Sequence, residues 1–285
     1  MKKYKIFLIL FLSLTIVISG CSNTSSNAEA SEDKPVDARE VLLEAIEYSD
    51  KQNEFKEIYE TKVSQEGQVL LHDNSRRYIC YDSANLYTID YTTSQIGPKR
   101  RATFLRMTPK EYVELGGPTS DSNNRELRVD SISYFERSEP IKHNYFNTYL
   151  EPYVNDDIKE YESFGISKNE EGYLVTIKLL DSNNVNSFNE AMKKYYRQNG
   201  IEDCYFPYYE FYCEVQITNG LIQRIYYNSV DDLYGDTYRR ENTFTISPID
   251  VSINLGVVDD LISGVKVGNT KDGSSVLIEG VISNL

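Results

Sequence analysis

The feature that most limits the fold of this chain is an alternation of period two, interrupted at short intervals by turn residues. Phe55, Glu57, Tyr59, Thr61 and Val63 alternate with Lys56, Ile58, Glu60 and Lys62. Both sets contain β-branched or aromatic residues, which suit a pleated strand whose successive side chains point to opposite faces. Gln65-Glu66-Gly67-Gln68 reads as a turn. Val69 to Leu71, Arg76 to Tyr81 and Leu86 to Tyr91 follow as strands, separated by Asp73-Asn74-Ser75 and Asp82-Ser83-Ala84-Asn85. Thr103 to Met107 adds another. This spacing predicts an antiparallel meander.

The pattern returns further along. Tyr173 to Leu180 is a strand, and Tyr209 to Thr218 and Leu221 to Ser229 flank Asn219-Gly220, the strongest hairpin signal in the chain. Thr243 to Ser247 and Val251 to Leu255 are expected to form a pair around Pro248. Val257 to Val267 and Val276 to Ile282 either extend the sheet or form a small tail. Helices interrupt this pattern at a few places. Asp37, with Glu40 three residues on, caps an amphipathic helix that carries Ala38, Val41, Leu42, Ala45, Ile46 and Ser49 on the face to be buried and runs to about Lys51. Val185, Phe188, Met192 and Tyr195 share one face of another, with Gly200 as its C-terminal cap. Thr108 and Pro109 predict a short helix ending at Gly116-Gly117-Pro118. Phe146 to Val154 and Asp157 to Phe164 suggest two more, broken by Pro140 and Pro152, and Ser133 to Phe135 suggests a strand. The expected class is α+β: a large antiparallel sheet carrying an N-terminal helix and one or two others, with a helical or irregular insert near 109–165.

The first residues carry a different signal. Met1-Lys2-Lys3-Tyr4-Lys5 is basic, and Ile6 to Ile18 is apolar apart from Ser13 and Thr15. As a helix that run spans roughly 20 Å, short of the roughly 30 Å hydrocarbon core of a bilayer, which suits a cleaved signal peptide. Ile18-Ser19-Gly20-Cys21 looks like a bacterial lipobox. The expected organisation is a signal peptide at 1–20, a mature N-terminus at Cys21 with lipid on its sulfur, a polar tether over 21–35 and a single domain over 36–285. Such a protein sits on the extracytoplasmic face of the cell membrane, anchored through its acyl chains. Loss of Lys2, Lys3 and Lys5 takes the net charge from −14 to −17. Phosphate binding depends on Lys and Arg, so nucleic acid is not an expected partner.

Little in the sequence signals catalysis. His72 and His143 are the only histidines, and no GxSxG surrounds a serine. Neither a metal nor a cofactor is expected. Cys80, Cys204 and Cys213 contain no CxxC; Cys204 and Cys213 either pair across a loop or are small buried apolar residues. Asp156-Asp157, Asp231-Asp232 and Asp259-Asp260 are acidic pairs; two such acids serve a glycosidase only at a defined separation across a cleft, and with 44 acidic residues adjacent pairs are expected by chance. Asp231, Asp232 and Asp236 around Gly235 offer oxygen ligands to calcium without EF-hand spacing, so a solvated loop is the simpler reading. The chain has 24 Tyr and no Trp. Tyr205, Tyr208, Tyr209 and Tyr212, with Tyr226 on the returning strand, are the candidate ligand-binding residues. Each ring offers an apolar face and a polar tip, which suit a glycan or a lipid-cavity mouth, although tyrosine is also an ordinary strand residue.

Tether, helix before a meander, and the hairpin Val215 to Ile225 followed by Phe244-Thr245-Ile246-Ser247-Pro248 together resemble the LolA/LppX-like superfamily of envelope proteins, which includes many Gram-positive lipoproteins. The resemblance covers roughly Asp37 to Leu255. It implies a strongly curved antiparallel half-barrel closed by helices, and a non-enzymatic protein that holds an acyl chain, another amphipathic ligand or an envelope partner on the inner side of its sheet. The alternative is a protein- or glycan-interaction module working through the Tyr-rich surface.

Overall fold

The structure, a computed structural model, describes residues 36–285 apart from 83, 96–99, 119–127, 135–140, 157, 159–160, 180–184, 199–207, 234–235, 267–281 and 284–285. Helix α1 (Ala38–Ser49) precedes six strands: β1 (Glu54–Gln65), β2 (Gln68–Asp82), β3 (Asn85–Ser94), β4 (Arg100–Met107), β5 (Glu111–Pro118) and β6 (Arg128–Tyr134). Then come α2 (Tyr145–Val154), β7 (Glu162–Lys168), β8 (Gly172–Leu179), α3 (Val185–Gln198), β9 (Tyr208–Thr218), β10 (Leu221–Leu233) and β11 (Asp236–Ser247). The chain finishes with β12 (Ser252–Ile253), α4 (Leu255–Lys266) and β13 (Ile282–Ser283). Strands β1 to β11 make one curved, open antiparallel sheet in the order β6-β5-β4-β3-β2-β1-β11-β10-β9-β8-β7. The first six strands and the last five are two meanders, joined by β1 against β11 with Tyr59 opposite Phe244.

Alternation sends side chains to both faces, and each half of the sheet buries a different one. On the first face, Phe55, Ile79, Val175, Ile177, Val215, Ile217, Ile225 and Phe244 pack beneath Leu42 and Ile46 of α1, Phe146 and Leu150 of α2, and Phe188 and Met192 of α3. On the opposite face, Tyr78, Cys80, Ile89, Phe104, Val113 and Leu115 of β2 to β5 pack beneath Val258, Leu261 and Ile262 of α4. Adjacent residues of β2 therefore belong to different cores, Ile79 to one and Tyr78 and Cys80 to the other. The two-layer arrangement is the usual outcome when a sheet must cover an apolar face with helices.

Several sequence expectations are corrected. Asp73-Asn74-Ser75 is no turn: these residues pair with Thr61, Glu60 and Tyr59, and β2 runs unbroken. The helix expected after Thr108 is strand β5, in which Val113 and Leu115 face the second core. Thr108 instead closes the β4–β5 turn, its hydroxyl accepting from the Lys110 and Glu111 amides at 3.2 and 2.9 Å. Pro152 lies inside α2 without ending it, one turn from the C-terminus. The end of the proposed 157–164 helix is strand β7. Val251 to Leu255 does not pair back on β11; Ser252 and Ile253 pair with Ser283 and Ile282. The stretch after it is helix α4, because Val258, Leu261 and Ile262 recur at helical spacing and fill the second core. Phe135 and Gly200 lie outside the described residues.

Candidate functional site

Helix α1 is fixed first by its own cap. The Asp37 carboxylate accepts from the backbone N–H groups of Arg39 and Glu40 at 2.8 and 3.2 Å. Ala38, Leu42, Ala45, Ile46 and Ser49 form its buried stripe. Ser49 is wholly buried, and its hydroxyl accepts from the Ile222 amide at 2.9 Å, which locks the helix against the start of β10. Arg39 donates from Nε to the last carbonyl of α2, at Val154, and pairs with Asp156 at 2.8 Å. At the other end, Asp50 accepts from the Phe146 and Asn147 amides at 2.7 and 3.1 Å. Asn144, which precedes α2, makes no side-chain cap of its own. A residue 96 positions away therefore caps that helix. Burial raises the Asp50 carboxyl to about 6, against the pull of the two amides.

The apolar side of β7 to β11, where an open hollow is expected from the sequence, is occupied by α1, α2 and α3. Open space lies beside α1. One groove of about 730 Å³ separates α1 from the start of α2 and is lined by Leu43, Asp50, Asn53, His143, Asn144 and Asn147 among others. The other, of about 610 Å³, runs between α1 and the β8–β9 strand ends. Its walls include Val41, Ala45, Tyr48, Tyr173 and Ile217, and its rim carries Glu44, Glu47, Glu171 and Lys51. Both volumes fall in the range of ordinary ligand pockets. Two glycines shape the second groove. A Cβ on Gly172 would lie 2.0 Å from the Ile217 carbonyl oxygen, so only glycine lets β8 approach β9 there. Gly220, at φ +80°, makes the hairpin turn beside the Tyr48 ring, where a Cβ would lie 3.5 Å from Tyr48 Cδ1.

Beneath the edge of α2 lies a polar cluster on the same face. Glu57 of β1 is wholly buried and accepts from Arg77 of β2 at 3.2 Å and from the Tyr145 hydroxyl of α2. Arg77 also reaches Asp90 of β3 from Nε and Nη2, at 3.1 and 2.9 Å. Burial raises the Glu57 carboxyl, opposed by Arg77 and the Tyr145 hydrogen bond. The group ties three strands and one helix together.

The residues singled out from the sequence are spread widely. Cys21 and Tyr205 lie outside the described residues, and Tyr208 is the first residue of β9. Tyr209 is 47% exposed. Tyr212 and Tyr226 lie on the face opposite the three helices, with their rings 6.4 Å apart. Lys178 sits 5.2 Å from the centre of the Tyr212 ring and Arg224 5.6 Å from that of Tyr226. The Tyr212 hydroxyl donates to Glu214, and burial with that carboxylate raises it to about 12. These two rings are engaged by the protein's own charges. His72 lies in β2 and contacts Glu60 at 2.7 Å, while His143 stacks on Tyr81 at 3.9 Å. Asp231 lies in β10, buried against Arg240 at 2.6 Å, so it belongs neither to the solvated loop expected from the sequence nor to a calcium-ligand set. Asp259 binds Arg106 at 2.7 Å and tethers α4. Among the described residues no cluster of three or more metal-ligating side chains occurs. Cys80 and Cys213 are free and buried, and Cys204 lies outside the described residues. None of the groove residues Val41, Tyr48, Gly172, Tyr173 and Gly220 was singled out in the sequence for binding; Val41, Tyr173 and Gly220 figured there only as helix, strand and turn residues. The available signal was Leu43 and Tyr48, large apolar residues on the polar side of α1.

No protein-family model matches the sequence, and no curated protein is similar to it. Solved structures give low-level likenesses. A LolA superfamily protein from Nitrosomonas europaea aligns over 80% of this chain and 98% of its own, at 10% identity and a TM-score of 0.27. A DUF1329 family protein from Desulfovibrio piger aligns over 78% and 95%, at 10% identity and a TM-score of 0.26. A porin-like protein from Bacteroides uniformis aligns over 68% and 96%, at 12% identity and a TM-score of 0.23. Among the described residues no helix is long and apolar enough to cross a membrane.

Proposed function

We propose that this chain is a lipid-anchored extracytoplasmic binding protein, without catalytic activity, that holds an amphipathic ligand or an envelope partner along α1. The observation that carries this reading is the groove between α1 and the β8–β9 strand ends, with the apolar side chains of Val41, Tyr48 and Tyr173 open to it and a charged rim. Apolar walls supply affinity through burial, at about 25 cal/mol per Å², and the rim orients a polar head. The anchor rests on Lys2, Lys3 and Lys5, the apolar run and Ile18-Ser19-Gly20-Cys21.

The test titrates the full-length chain with an uncharged fluorescent probe bearing a twelve-carbon chain. Tyr48→Arg and Tyr48→Ala are each expected to weaken uptake at least fivefold without changing the melting temperature by more than a few degrees. Wild-type protein that takes up no probe, or variants that bind it equally well, reject the groove. Separately, Cys21→Ser is expected to move the protein from the membrane fraction to the soluble one. A second reading, a glycan or protein contact at the Tyr-rich surface, is favoured only by the exposure of Tyr209. Under that reading Tyr209→Ala abolishes binding to wall glycan and leaves probe uptake intact.

A further inference from the structure

Helix α1 has two amphipathic faces. The inner one is buried. On the outer one, Glu40, Leu43, Glu44, Glu47 and Tyr48 recur at intervals of three and four residues and are all exposed, as is Lys51 in the turn just past the helix. Leu43 and Tyr48 are large apolar side chains left 39% and 55% exposed. Lys51 pairs with Glu47 at 2.9 Å, so the stripe keeps an excess of negative charge. A groove runs along each flank, and the two share Glu44, Glu47 and Lys51. The helix is thus a ridge between two furrows, which is the surface into which the side-chain ridges of a second helix pack.

We propose that the outer face of α1 docks a basic amphipathic helix of a partner polypeptide. This rests on the reading that the α1 grooves bind an amphipathic ligand, and names its class. Charge complementarity decides between occupants. A second copy of this chain in a twofold contact sets Glu40, Glu44 and Glu47 against the same carboxylates. An anionic lipid head meets the same repulsion. An uncharged chain fills the apolar walls but leaves the rim carboxylates desolvated and unpaired. A helix with Leu on one side and Lys or Arg beside it covers Leu43 and Tyr48 and pairs with the glutamates at once.

The experiment uses full-length protein in nanodiscs of zwitterionic phosphatidylcholine, with empty discs as the blank. Three labelled 18-residue peptides are titrated by fluorescence anisotropy: a Leu/Lys amphipathic helix, the same helix with Glu for every Lys, and a scrambled Leu/Lys sequence. The expected result is binding of the first at least tenfold tighter than of either other, weakening at least tenfold from 50 to 300 mM salt. Glu44→Lys with Glu47→Lys is expected to remove at least tenfold of that affinity. Glu66→Lys with Glu190→Lys, an equal charge reversal elsewhere on the surface, is expected to leave it within twofold. Leu43→Ala with Tyr48→Ala is expected to weaken binding at low and high salt alike. Equal binding of the scrambled peptide, or equal loss from both charge reversals, overturns the proposal as non-specific attraction. Uptake of the uncharged probe without preference for the basic helix overturns this inference alone. Failure of both probe and peptide overturns the groove reading as well.

Discussion

The two meanders of the sheet solve the same problem on opposite sides. The β7 to β11 half, with β1, covers its apolar face with α1, α2 and α3, and the β2 to β5 half covers the other face with α4. The larger cover is assembled from helices far apart in sequence, so its seams are sealed by long-range polar contacts such as Ser49 to Ile222 and Asp50 to Phe146. It is at these seams, beside α1, that open grooves remain. The smaller cover is one helix pinned by Arg106 and Tyr87 to Asp259. A sheet with two separately covered faces has two cores, which meet across the backbone of β2, where Ile79 belongs to one and Tyr78 and Cys80 to the other. That independence is what a set of substitutions can break.

The largest expected effects come from the cores themselves. Phe104 in the second core and Phe188 in the first are both wholly buried. Replacing either with Ala is expected to cost about 3–5 kcal/mol, the usual result for a large side chain removed from a core. Hydrogen exchange sharpens the comparison. Phe104→Ala should raise exchange in β3 to β5 and α4 before α1 to α3, and Phe188→Ala should do the reverse. The same rise everywhere in both variants makes the sheet one cooperative unit.

A smaller loss is expected at the boundary between the halves. Arg77→Ala leaves the Glu57 carboxyl buried with Tyr145 as its remaining partner. The expected cost is about 3 kcal/mol, because an uncompensated buried charge is worse than none. Adding Glu57→Gln should restore part of it, as urea melts of the single and double variants can measure. If the double variant is as unstable as the sum of the singles, the two residues do not act as a pair.

The third effect depends on pH and belongs to the larger core. Glu162 is buried, neither carboxylate oxygen has a hydrogen-bond partner among the described residues, and burial raises it from 4.5 to about 9. The folded chain therefore holds a proton that the unfolded chain releases above 4.5. Its contribution to stability is complete below that pH and is lost as pH rises through about 9. Glu162→Gln should match wild type near pH 4 and become more stable than it by about 1–3 kcal/mol near pH 8. No change in the gap between the two across that range would show that the carboxyl is solvated or paired.

Strand pairing was legible wherever turn chemistry agreed with alternation. Asn219-Gly220 gave β9 to within a residue and the start of β10, whose far end runs four residues past the expected Ser229, and Asp37 gave the start of α1. Reading failed where local signals lost to distant partners. Asp73-Asn74-Ser75 looks like a turn but finds β1 on one side and β3 on the other. Thr108-Pro109 looks like a helix cap, yet the second core takes Val113 and Leu115 as a strand. The Tyr-rich segment drew attention by composition, while two of its rings are occupied by Lys178 and Arg224. The grooves were invisible because they lie between α1 and segments about 100 residues or more away, and the spacing within α1 reveals only that its outer face is not wholly polar.

The smallest expected effect lies at one of the seams. Asp50 caps α2 from the end of α1, and burial raises it from 3.8 to about 6. The sign follows as for Glu162: its contribution to stability is complete below 3.8 and is lost as pH rises through about 6. An amide keeps an acceptor for the α2 amides and carries no charge, and Asn caps helices about as well as Asp. Asp50→Asn should therefore change stability at pH 7 by no more than about 0.5 kcal/mol, cap and charge offsetting each other. Its signature is the loss of slope between pH 4 and 6 in a plot of urea midpoint against pH. A large loss at every pH would mean instead that the second carboxylate oxygen, and hence both α2 amides, must be served for α2 to stay seated. The groove between the two helices would then depend on that single cap.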